Sequence, residues 1–558
     1  MLHWAGTSRL LIILGFFLLT GAIYGQSVRT NEFVDWDDTV LVVENPLLQE
    51  LSINNIAGIV STYDPELYIP LTFLSYHVDR LVGGGFFAPV THSINLILHT
   101  CSALLAAWVA YVLSRKNAWI GVVCGLLFAV HPLHTEAVAW ASARKDLLAA
   151  IFFLLSLGWY LKFWERDQGG HRIRATYWTS VLFFFLALLS KVIAVTLPVV
   201  LLLIDWREGR PIDRNNIKEK APYFVLSLLF GAVALAGQSG SGMFLSDKLL
   251  LGARSTLFYL QKIVWPSKLA VLYPFTEPLR LSNPEILLSV LLVLAITAAA
   301  MLLARRTREP LFAWGFFLVT VAPTFTNFSK GDLLQRDIYI ASDRYAYIPS
   351  VAIFFLAALL LYQLFRRRRA VAFALVFVVL AILSALSYRQ SRTWENTALL
   401  FLNVVGHYDN AQFAHNKVGV ELLKRGRTAL ALAEFQKSLA LRPNERAYSN
   451  VGHVAMQAGD YETARAAFLE SLKINPLYVD ANAELGALFL ILGQPEEAIK
   501  LTEIAAEIEP THFEAHYNTA LAYERLGQRE KSIAWYRRAL LLRPDDRETR
   551  AKIEALGE

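Results

Sequence analysis

Residues 366–388 read RRRRAVAFALVFVVLAILSALSY. The 19 residues after the four arginines carry no charge. As a helix they would be about 28 Å long, close to the ~30 Å apolar core of a bilayer. Lysine and arginine stay on the cytoplasmic side of membranes, so this segment predicts a spanning helix that leaves the cytoplasm. The other long apolar runs all lie before residue 389, which predicts a membrane domain followed by a polar tail.

The composition also indicates a membrane protein. Of 558 residues, 55% are hydrophobic and 18% are charged, and the mean hydropathy is +0.40. Soluble proteins are about 25% charged, so an ordinary cytosolic enzyme is excluded. The aromatic and aliphatic content excludes disorder, and two cysteines are too few for a disulfide scaffold. Residues 406–558 hold 19 Lys or Arg against 22 Asp or Glu. The net charge of +6 therefore belongs to the apolar half, and no nucleic-acid partner is expected.

Eleven segments are long and apolar enough to be candidate spans, which predicts a polytopic all-α bundle. Several are short and would need tilt or loop residues at their ends. The first follows Arg9 and could instead be a cleaved signal peptide. The eleven segments are 10–25, 93–113, 117–131, 147–163, 176–190, 192–205, 221–237, 284–304, 311–327, 346–365 and 370–388.

The distribution of Lys and Arg assigns a side to each loop. The first long loop, 26–92, holds two basic and nine acidic residues, so we expect it outside. Successive loops then alternate between the two sides of the membrane only if segment 249–266 does not cross the membrane. That segment carries Arg254 and Lys262 and suits a helix at the outer interface or a re-entrant one. The N-terminus is then cytoplasmic, and everything after residue 388 is extracytoplasmic: periplasmic in a bacterium, luminal in a eukaryote. The basic loops behind this assignment are 115–116, 162–174, 207–220, 305–308 and 366–369.

The polar tail contains an internal repeat. Pro443, Pro476, Pro510 and Pro544 recur at intervals of 33, 34 and 34 residues, with matching glycines and alanines between them. This is the tetratricopeptide repeat (TPR) pattern, in which helical hairpins stack around a shared core and form a concave groove. We expect the groove to bind an extended peptide or a partner helix; the alternative is a spacer or dimerisation arm. The predicted domains are a membrane domain at 1–390, a linker helix at 391–411, four repeats at 412–544 and a capping helix at 545–558.

Two adjacent carboxylates follow the first span. Residues 31–48 read NEFVDWDDTVLVVENPLL and contain Asp37 and Asp38. In an extended segment adjacent side chains face opposite ways, so we expect the two to differ in role. One could point into a cavity as a base, and the other could order the loop or hold a cation. The alternative is a solvated acidic loop.

The second outer loop is dense in ionisable groups. Residues 131–148 read HPLHTEAVAWASARKDLL. Charges at a membrane boundary are costly without partners, which makes this loop a candidate site. His134 and Glu136, with the histidine at 131, could ligate a divalent cation, although the spacing matches no zinc signature. Arg144 and, less strongly, Lys145 suit a phosphate, unless they pair with loop acids.

Two further segments carry candidate phosphate ligands. Lys191 interrupts the apolar run LALLSKVIAVTLP (186–198), where it could snorkel or contact a lipid phosphate. Arg344 lies in SDRYAYIPS (342–350), just ahead of a span. Arg344 could bind a phosphate. The tyrosines beside it are typical of the lipid headgroup level, where they anchor a membrane protein even if they have no catalytic role. Lys330 is a weaker candidate in the same loop.

Taken in order, these segments resemble a known family. The DD pair, HPLHTEAVAW with RKD, LLSKVIAVTLP, SDRYAYIPS and then TPR repeats are similar to the transmembrane and TPR-containing O-mannosyltransferases, members of the GT-C glycosyltransferase class. The resemblance covers nearly the whole chain. It implies a GT-C-like membrane domain, a polyprenyl-phosphate sugar donor and a protein Ser or Thr hydroxyl as acceptor. It also implies an active site facing away from the cytoplasm, in which a carboxylate of the acidic pair is catalytic.

The chemistry of that reaction assigns provisional roles. A polyprenyl phosphate is a good leaving group, so the enzyme must supply positive charge at the phosphate and one base for the hydroxyl. One carboxylate suffices for inversion, unlike the two-carboxylate scheme of glycosidases. We assign the base to one of the pair at 37 and 38, without choosing between them, and the phosphate to Arg144, Lys191 and Arg344. His134 and Glu136 would orient the acceptor or a cation.

Two rival functions remain. The first is the same donor chemistry on a glycan or lipid acceptor, and the second is a non-enzymatic membrane scaffold that displays a TPR groove. Charged residues gathered on three outer loops favour an enzyme, because a scaffold would not need them. The TPR array favours a protein acceptor.

Overall fold

The computed structural model describes residues 6–63, 67–168, 174–237, 243–326, 328–330 and 337–557. They form two compact units, the first ending at Asn403 and the second beginning at Val404. The described β-structure is an antiparallel ladder of two-residue strands, Ser329–Lys330 and Asp337–Ile338, with one isolated bridge. The predicted all-α class is confirmed.

Helices α1 to α16 belong to the first unit, and α17 crosses the boundary in sequence. Their bounds are α1 Gly6–Thr30, α2 Ile53–Ser61, α3 Pro70–Gly83, α4 Ala88–Leu113, α5 Ala118–Val130, α6 Thr135–Ala139, α7 Arg144–Gln168, α8 Arg174–Ser190, α9 Leu197–Arg207, α10 Arg214–Glu219, α11 Ala221–Gly237, α12 Leu245–Val264, α13 Pro284–Leu303, α14 Glu309–Val321, α15 Ser350–Arg367, α16 Arg369–Ser391 and α17 Thr397–Val405. Short 3₁₀ or π turns occur at Thr39–Val43, Pro46–Leu48, Pro132–His134, Ala141–Ala143, Val192–Thr196, Ala322–Thr326, Asp343–Ala346 and Arg392–Trp394.

Six described helices are long and apolar enough to cross a bilayer: α1, α4, α7, α13, α15 and α16. A seventh is reached if α5 and the segment Pro132–Ala139, bent by 57°, count as one broken span. Helices α8 and α11 are apolar but shorter. A multi-helix membrane protein is thus supported, whereas the count of eleven crossings and the sides assigned to the loops remain predictions.

Small residues let the central helices approach closely, as is usual between membrane helices. A Cβ added at Gly125 of α5 would lie 2.5 Å from Ala107 Cβ of α4, and one at Gly121 would lie 2.8 Å from the Ala107 carbonyl oxygen. A Cβ added at Gly158 of α7 would lie 2.0 Å from the Trp108 ring. Any larger residue would separate α4, α5 and α7, and these helices support the candidate site.

Proline breaks the path of α5 at the site. Pro132 holds His131 in an extended conformation, with ψ of 128°, because the residue before a proline avoids the helical region. The chain then makes two short turns before α7 begins at Arg144. Irregular backbone at membrane depth is tolerated only where protein buries it or where it lines a cavity. All of residues 131–146 are buried.

The first loop is folded rather than open. Its turns and helices α2 and α3 enclose a small core around Val42, Leu48, Ile59 and Tyr76. This core holds the π turn that follows Asp38. The segment predicted to lie along the interface forms α12, which pairs Arg254 with Glu285; its position relative to the membrane remains a prediction.

The second unit is a stack of helical hairpins, which confirms the predicted TPR array. Each hairpin turns at a glycine with positive φ: Gly426 at 69°, Gly459 at 78°, Gly493 at 74° and Gly527 at 71°. The left-handed region explains why glycine recurs there. The bounds are α18 Gln412–Lys424, α19 Thr428–Leu441, α20 Glu445–Gln457, α21 Tyr461–Ile474, α22 Val479–Ile491, α23 Pro495–Ile508, α24 Phe513–Arg525, α25 Arg529–Leu542 and α26 Arg547–Gly557.

The repeated small residue and the large apolar residue touch within each hairpin. A Cβ at Gly419 would lie 2.4 Å from the Phe435 ring, and one at Gly452 would lie 2.7 Å from Phe468. In the third repeat Gly486 faces Thr502 instead. The first two hairpins therefore share one packing contact, and the third places a smaller side chain at the same position.

Candidate active site

Four segments of the first unit supply the candidate residues: the first-loop turn, residues 131–146, the junction after α8, and residues 342–347. Each segment lies where a helix ends or breaks. Polar side chains can enter there without interrupting a long apolar helix. The four are tied to one another by hydrogen bonds and ion pairs between residues far apart in sequence.

Asp38 is fully buried and committed to structure. Its carboxylate accepts hydrogen bonds from the backbone N–H of Val34 at 3.0 Å and of Ser142 at 2.9 Å. The Ser142 hydroxyl donates to it as well, at 2.5 Å. Burial raises the pKa of Asp38 to about 6, against the opposing effect of these donors. Asp38 therefore fastens the first loop to the segment that precedes α7.

Asp37 has a different environment, although the reason differs from the expected one. The backbone at Asp38 is helical, with φ of −66° and ψ of −37°, so the extended conformation assumed from the sequence is wrong here. Asp37 is half-buried. Among the described residues, none donates a hydrogen bond to its carboxylate or pairs with it within 4 Å. The Asp38 carboxylate is thus hydrogen-bonded within the protein, whereas the Asp37 carboxylate is available to a ligand.

Arg144 is completely buried and fully partnered. Its guanidinium forms a bidentate pair with Asp79, with Nη2 to Oδ2 at 2.7 Å. Its Nε donates to Asn95 Oδ1 at 2.9 Å, and the group lies over the Tyr76 ring. Arg144 therefore joins α7 to α3 and α4, which is the pairing with a loop acid that the sequence left open.

Lys191 and Arg344 are also paired. Lys191 Nζ donates to Asp146 Oδ1 at 2.6 Å. Arg344 pairs with Glu136 through its Nη1, and its backbone N–H donates to the same carboxylate at 3.2 Å. The Nε of Arg344 is buried without a hydrogen-bond partner among the described residues. The Nε–H of Arg344 is thus a donor without an acceptor among the described residues.

Lys145 is the notable cation of this cluster. It is 4% exposed, and within the described residues no carboxylate lies within 4 Å of its ammonium. The strongest attraction on it comes from Asp37. Its Nζ lies 5.4 Å from the centre of a Trp140 ring, and the Arg344 guanidinium lies 4.9 Å from a Trp140 ring. Two cations with unused hydrogen-bonding capacity therefore share one indole as a platform.

His134 and its neighbours do not form a metal centre among the described residues. His134 is bonded on both nitrogens, to the Phe128 carbonyl at 2.8 Å and to Ser350 Oγ at 3.0 Å. His131 contacts the Ile263 carbonyl at 3.0 Å, and Glu136 is used by Arg344. The described part of the chain contains no group of three His, Cys, Asp or Glu able to hold a metal ion. The Lys330 side chain lies outside the described residues.

Comparisons with known proteins give the chain its relatives. The tetratricopeptide repeat family matches residues 419–478, 450–511 and 513–546. Protein O-mannosyl-transferase Tmtc2 of Drosophila melanogaster is 33% identical over 162 residues, which covers 29% of this chain and 17% of the relative. Protein O-mannosyl-transferase TMTC4 of Homo sapiens is 33% identical over 185 residues, covering 29% and 25%. The resemblance to the TMTC O-mannosyltransferases is confirmed.

The matched segments span a quarter or less of these relatives' own length. Among solved structures, YrrB, described as a TPR protein with an unusual peptide-binding site, is 18% identical with a TM-score of 0.24, covering 34% of this chain and 96% of that one. MamA is 22% identical with the same TM-score, covering 29% and 88%.

In this TMTC-like chain, the sequence did not identify the partners that organise the cluster. Asp79, Asn95 and Ser142 hold Arg144 and Asp38 in place, and Trp140 lies under two cations. Ser142 and Trp140 do lie inside the quoted loop 131–148, between its acidic and basic residues. Asp79 and Asn95 carry no motif, so only the fold could reveal them.

Proposed function

We propose that the protein transfers a sugar, mannose, from a polyprenyl-phosphate donor to Ser or Thr hydroxyls of proteins on the non-cytoplasmic side of a membrane. The observation that carries this proposal is that Asp37 and Lys145, which attract each other, are not in direct contact and carry no other ion pair among the described residues. The ammonium of Lys145 therefore keeps its N–H donors for a ligand. The site is therefore built for an anion that the protein itself does not provide. The names of the relatives support the sugar and the acceptor.

Lys145 and Arg344 are the groups we assign to the donor phosphate. When the bond between the anomeric carbon and the phosphate oxygen breaks, the phosphate leaves with the electron pair and gains negative charge. Cations fixed where charge develops stabilise a transition state strongly in a dry site. Lys191, neutralised by Asp146, contributes less. Arg144 is assigned a positioning role, because Asp79 uses its guanidinium bidentately.

Asp37 is the group we assign as the base. The acceptor oxygen attacks the anomeric carbon from the face opposite the phosphate, and its proton passes to the Asp37 carboxylate. The configuration inverts, and no second carboxylate is required. Asp38 positions this base, since its bonds to Val34 and Ser142 fix the turn that carries both residues. Glu136 acts through Arg344, and His134 holds the backbone of the broken helix.

The decisive experiment compares Asp37→Asn with the unmodified chain in lipid nanodiscs. Transfer from polyprenyl-phosphate-mannose to a Thr-containing peptide should fall by about 100-fold or more, the usual contribution of a general base. Binding of the donor should persist. Glu44→Gln is a matched control, because Glu44 is an exposed carboxylate of the same loop. Unchanged transfer by Asp37→Asn would remove this residue from the chemistry.

The anomeric configuration of the product is a second readout. A single-displacement reaction converts a β-linked donor into an α-linked product, which NMR of the glycopeptide resolves. Retention would require a covalent intermediate and would contradict a mechanism with one carboxylate.

A further inference from the structure

A narrow apolar groove of about 320 Å³ runs between α9 and α14 of the first unit. It follows α9 from Val199 to Trp206, a rise of about 10 Å. Apart from the indole nitrogen, the side chains of its wall carry no polar atom, so the groove suits a hydrocarbon rather than a polar ligand. The wall consists of Val199, Leu202, Leu203 and Trp206 from α9, and of Leu311 and Gly315 from α14.

The groove lies beside a helix that is long and apolar enough to cross a bilayer. Trp314 of α14 donates its indole N–H to Thr297 Oγ1 of α13 at 2.8 Å. Helix α13 ends at Leu303, so Thr297 lies six residues, about 9 Å, inside that end. Gly315 follows Trp314 directly, which places the groove at the depth of lipid acyl chains.

An arginine is fixed at one end of the groove. Arg308 Nη1 donates to the Trp206 carbonyl at 2.8 Å, and the guanidinium lies 5.6 Å from the centre of the Trp206 ring. A Cβ added at Gly209 would lie 3.1 Å from Arg308 Nη1, so the glycine leaves room for the arginine. Trp206 therefore both closes the apolar groove and supports a cation beside it.

The charge of Arg308 is not compensated, in contrast to its neighbours. Arg207 forms a bidentate pair with Glu309 at 2.8 and 2.7 Å, and Arg210 pairs with Glu219 at 2.6 Å. Within the part of the chain that the structure describes, no carboxylate lies within 4 Å of the Arg308 guanidinium. Arg308 thus keeps its charge and the N–H groups of Nε and Nη2 for an anion.

Two features of different chemistry therefore meet at Trp206, and an anionic phospholipid matches both. Its acyl chain begins next to its phosphate, as the groove begins next to Arg308. A soluble anion would leave the groove empty, and an uncharged lipid would leave the cation unused. Arg305 and Arg306 are exposed in the same loop and add positive charge. The sequence predicts this loop on the cytoplasmic side, and the cytoplasmic leaflet carries anionic lipids.

We infer that an anionic phospholipid binds here, with one acyl chain in the groove and its phosphate on Arg308. The bound lipid fills the space between α9 and α14 and connects the two helices. The site shares no residue with the cluster around Lys145, and lipid binding requires no sugar transfer.

Native mass spectrometry of the full chain, released from detergent micelles, tests this inference by counting bound lipids during a titration. The probes are dioleoyl phosphatidylglycerol, which is anionic, and dioleoyl phosphatidylcholine, which has the same acyl chains and no net charge. The anionic lipid should bind more tightly. Arg308→Gln should weaken it about fivefold, the contribution of one basic residue near an anionic lipid surface, and leave the phosphatidylcholine unchanged. Arg305→Gln is the matched control, because Arg305 is an exposed arginine of the same loop; its effect should be smaller.

A second variant tests the apolar part of the site. A Cβ added at Gly315 would lie 3.4 Å from Leu203 Cδ1, an ordinary contact, so the rest of a leucine side chain enters the groove. Gly315→Leu should weaken both lipids by about tenfold, the effect of displacing roughly two buried methylene groups. Gly231→Leu is its control, because Gly231 lies on the apolar helix α11 and an added Cβ there meets nothing within 4 Å.

Four results would overturn the inference. The first is equal affinity of the unmodified chain for the two lipids, and the second is an equal loss in Arg308→Gln and Arg305→Gln. The third is an equal effect of Gly315→Leu and Gly231→Leu. The fourth is a polyprenyl phosphate that binds more tightly than the phosphatidylglycerol, which would make a polyprenyl lipid the occupant. If Gly315→Leu does not fold, the two arginine variants decide.

Discussion

The two units differ in how deeply they bury their charged side chains. In the first unit Arg144 and Asp79 are completely buried and face each other, whereas in the second unit Lys473 and Glu470 form an ion pair whose side chains are 68% and 46% exposed. Removing one partner of a buried ion pair costs several kcal/mol, but an exposed polar group costs little when unpaired. A polar group without a direct contact is therefore costly mainly where it is buried, and Lys145, 4% exposed with no carboxylate within 4 Å among the described residues, is such a group.

The largest expected effect follows from breaking the buried pair. Asp79→Ala should lower the free energy of unfolding by about 3–5 kcal/mol, because it leaves the Arg144 guanidinium uncompensated. Thermal unfolding in nanodiscs or detergent measures the loss. Asp480→Ala in the second unit removes an exposed carboxylate and should change stability by no more than about 0.5 kcal/mol.

A double variant separates structure from chemistry at this pair. Asp79→Leu with Arg144→Met should recover most of the lost stability, since apolar residues of similar size often replace a buried pair at little cost. It should also retain donor binding. Loss of donor binding in a stable double variant would show that Arg144 binds the donor phosphate.

The same contrast explains what could be predicted from the sequence. The repeats were predictable down to their contacts, because each depends on neighbours close in sequence: Gly452 and Phe468 are 16 residues apart, and their packing recurs at a fixed interval. The helical class and the apolar helices followed from composition. A periodic signal carries this kind of information well.

The partners in the candidate site could not be predicted in this way. Arg344 pairs with Glu136 across 208 positions, and Ser142 donates to Asp38 across 104. The sequence identified the charged segments but not which charge would neutralise which. That choice decided which cation remains unpaired. It depends on how α3, α4 and α7 pack, and no local pattern specifies this.

An intermediate effect is expected at Lys145. Lys145→Met should raise the KM for the polyprenyl-phosphate donor by about 30-fold, equivalent to roughly 2 kcal/mol for a lost hydrogen bond to a charged group. The KM for the acceptor peptide should not change. Stability should change little, because no carboxylate of the described residues lies within 4 Å of the Lys145 ammonium.

Lys191→Met is the comparison variant for this prediction. It leaves Asp146 buried and unpaired, and it should therefore reduce stability by several kcal/mol. If Lys145→Met is the destabilised variant and its donor KM is normal, Lys145 is a structural counter-ion rather than a phosphate ligand.

The smallest effect concerns Asp38 and depends on pH. Asp38→Asn presents an amide to donors that bind a carboxylate, so the turn carrying Asp37 should be held less firmly. We expect kcat/KM at pH 7.5 to fall about tenfold, the effect of losing roughly 1.4 kcal/mol of positioning. Protein level and acceptor binding should be retained.

The pH profile distinguishes a charged anchor from a merely well-packed one. Burial raises the pKa of Asp38 to about 6, so in the unmodified chain the carboxylate is ionised above that value and protonated below it. As pH falls from 7.5 to 5.0, the unmodified chain should lose the charge-assisted bonds to Ser142 and Val34, which the asparagine variant never had. The ratio of the two activities should then shrink towards 1. A ratio that stays constant across this range would mean that the shape of Asp38, rather than its charge, holds the loop.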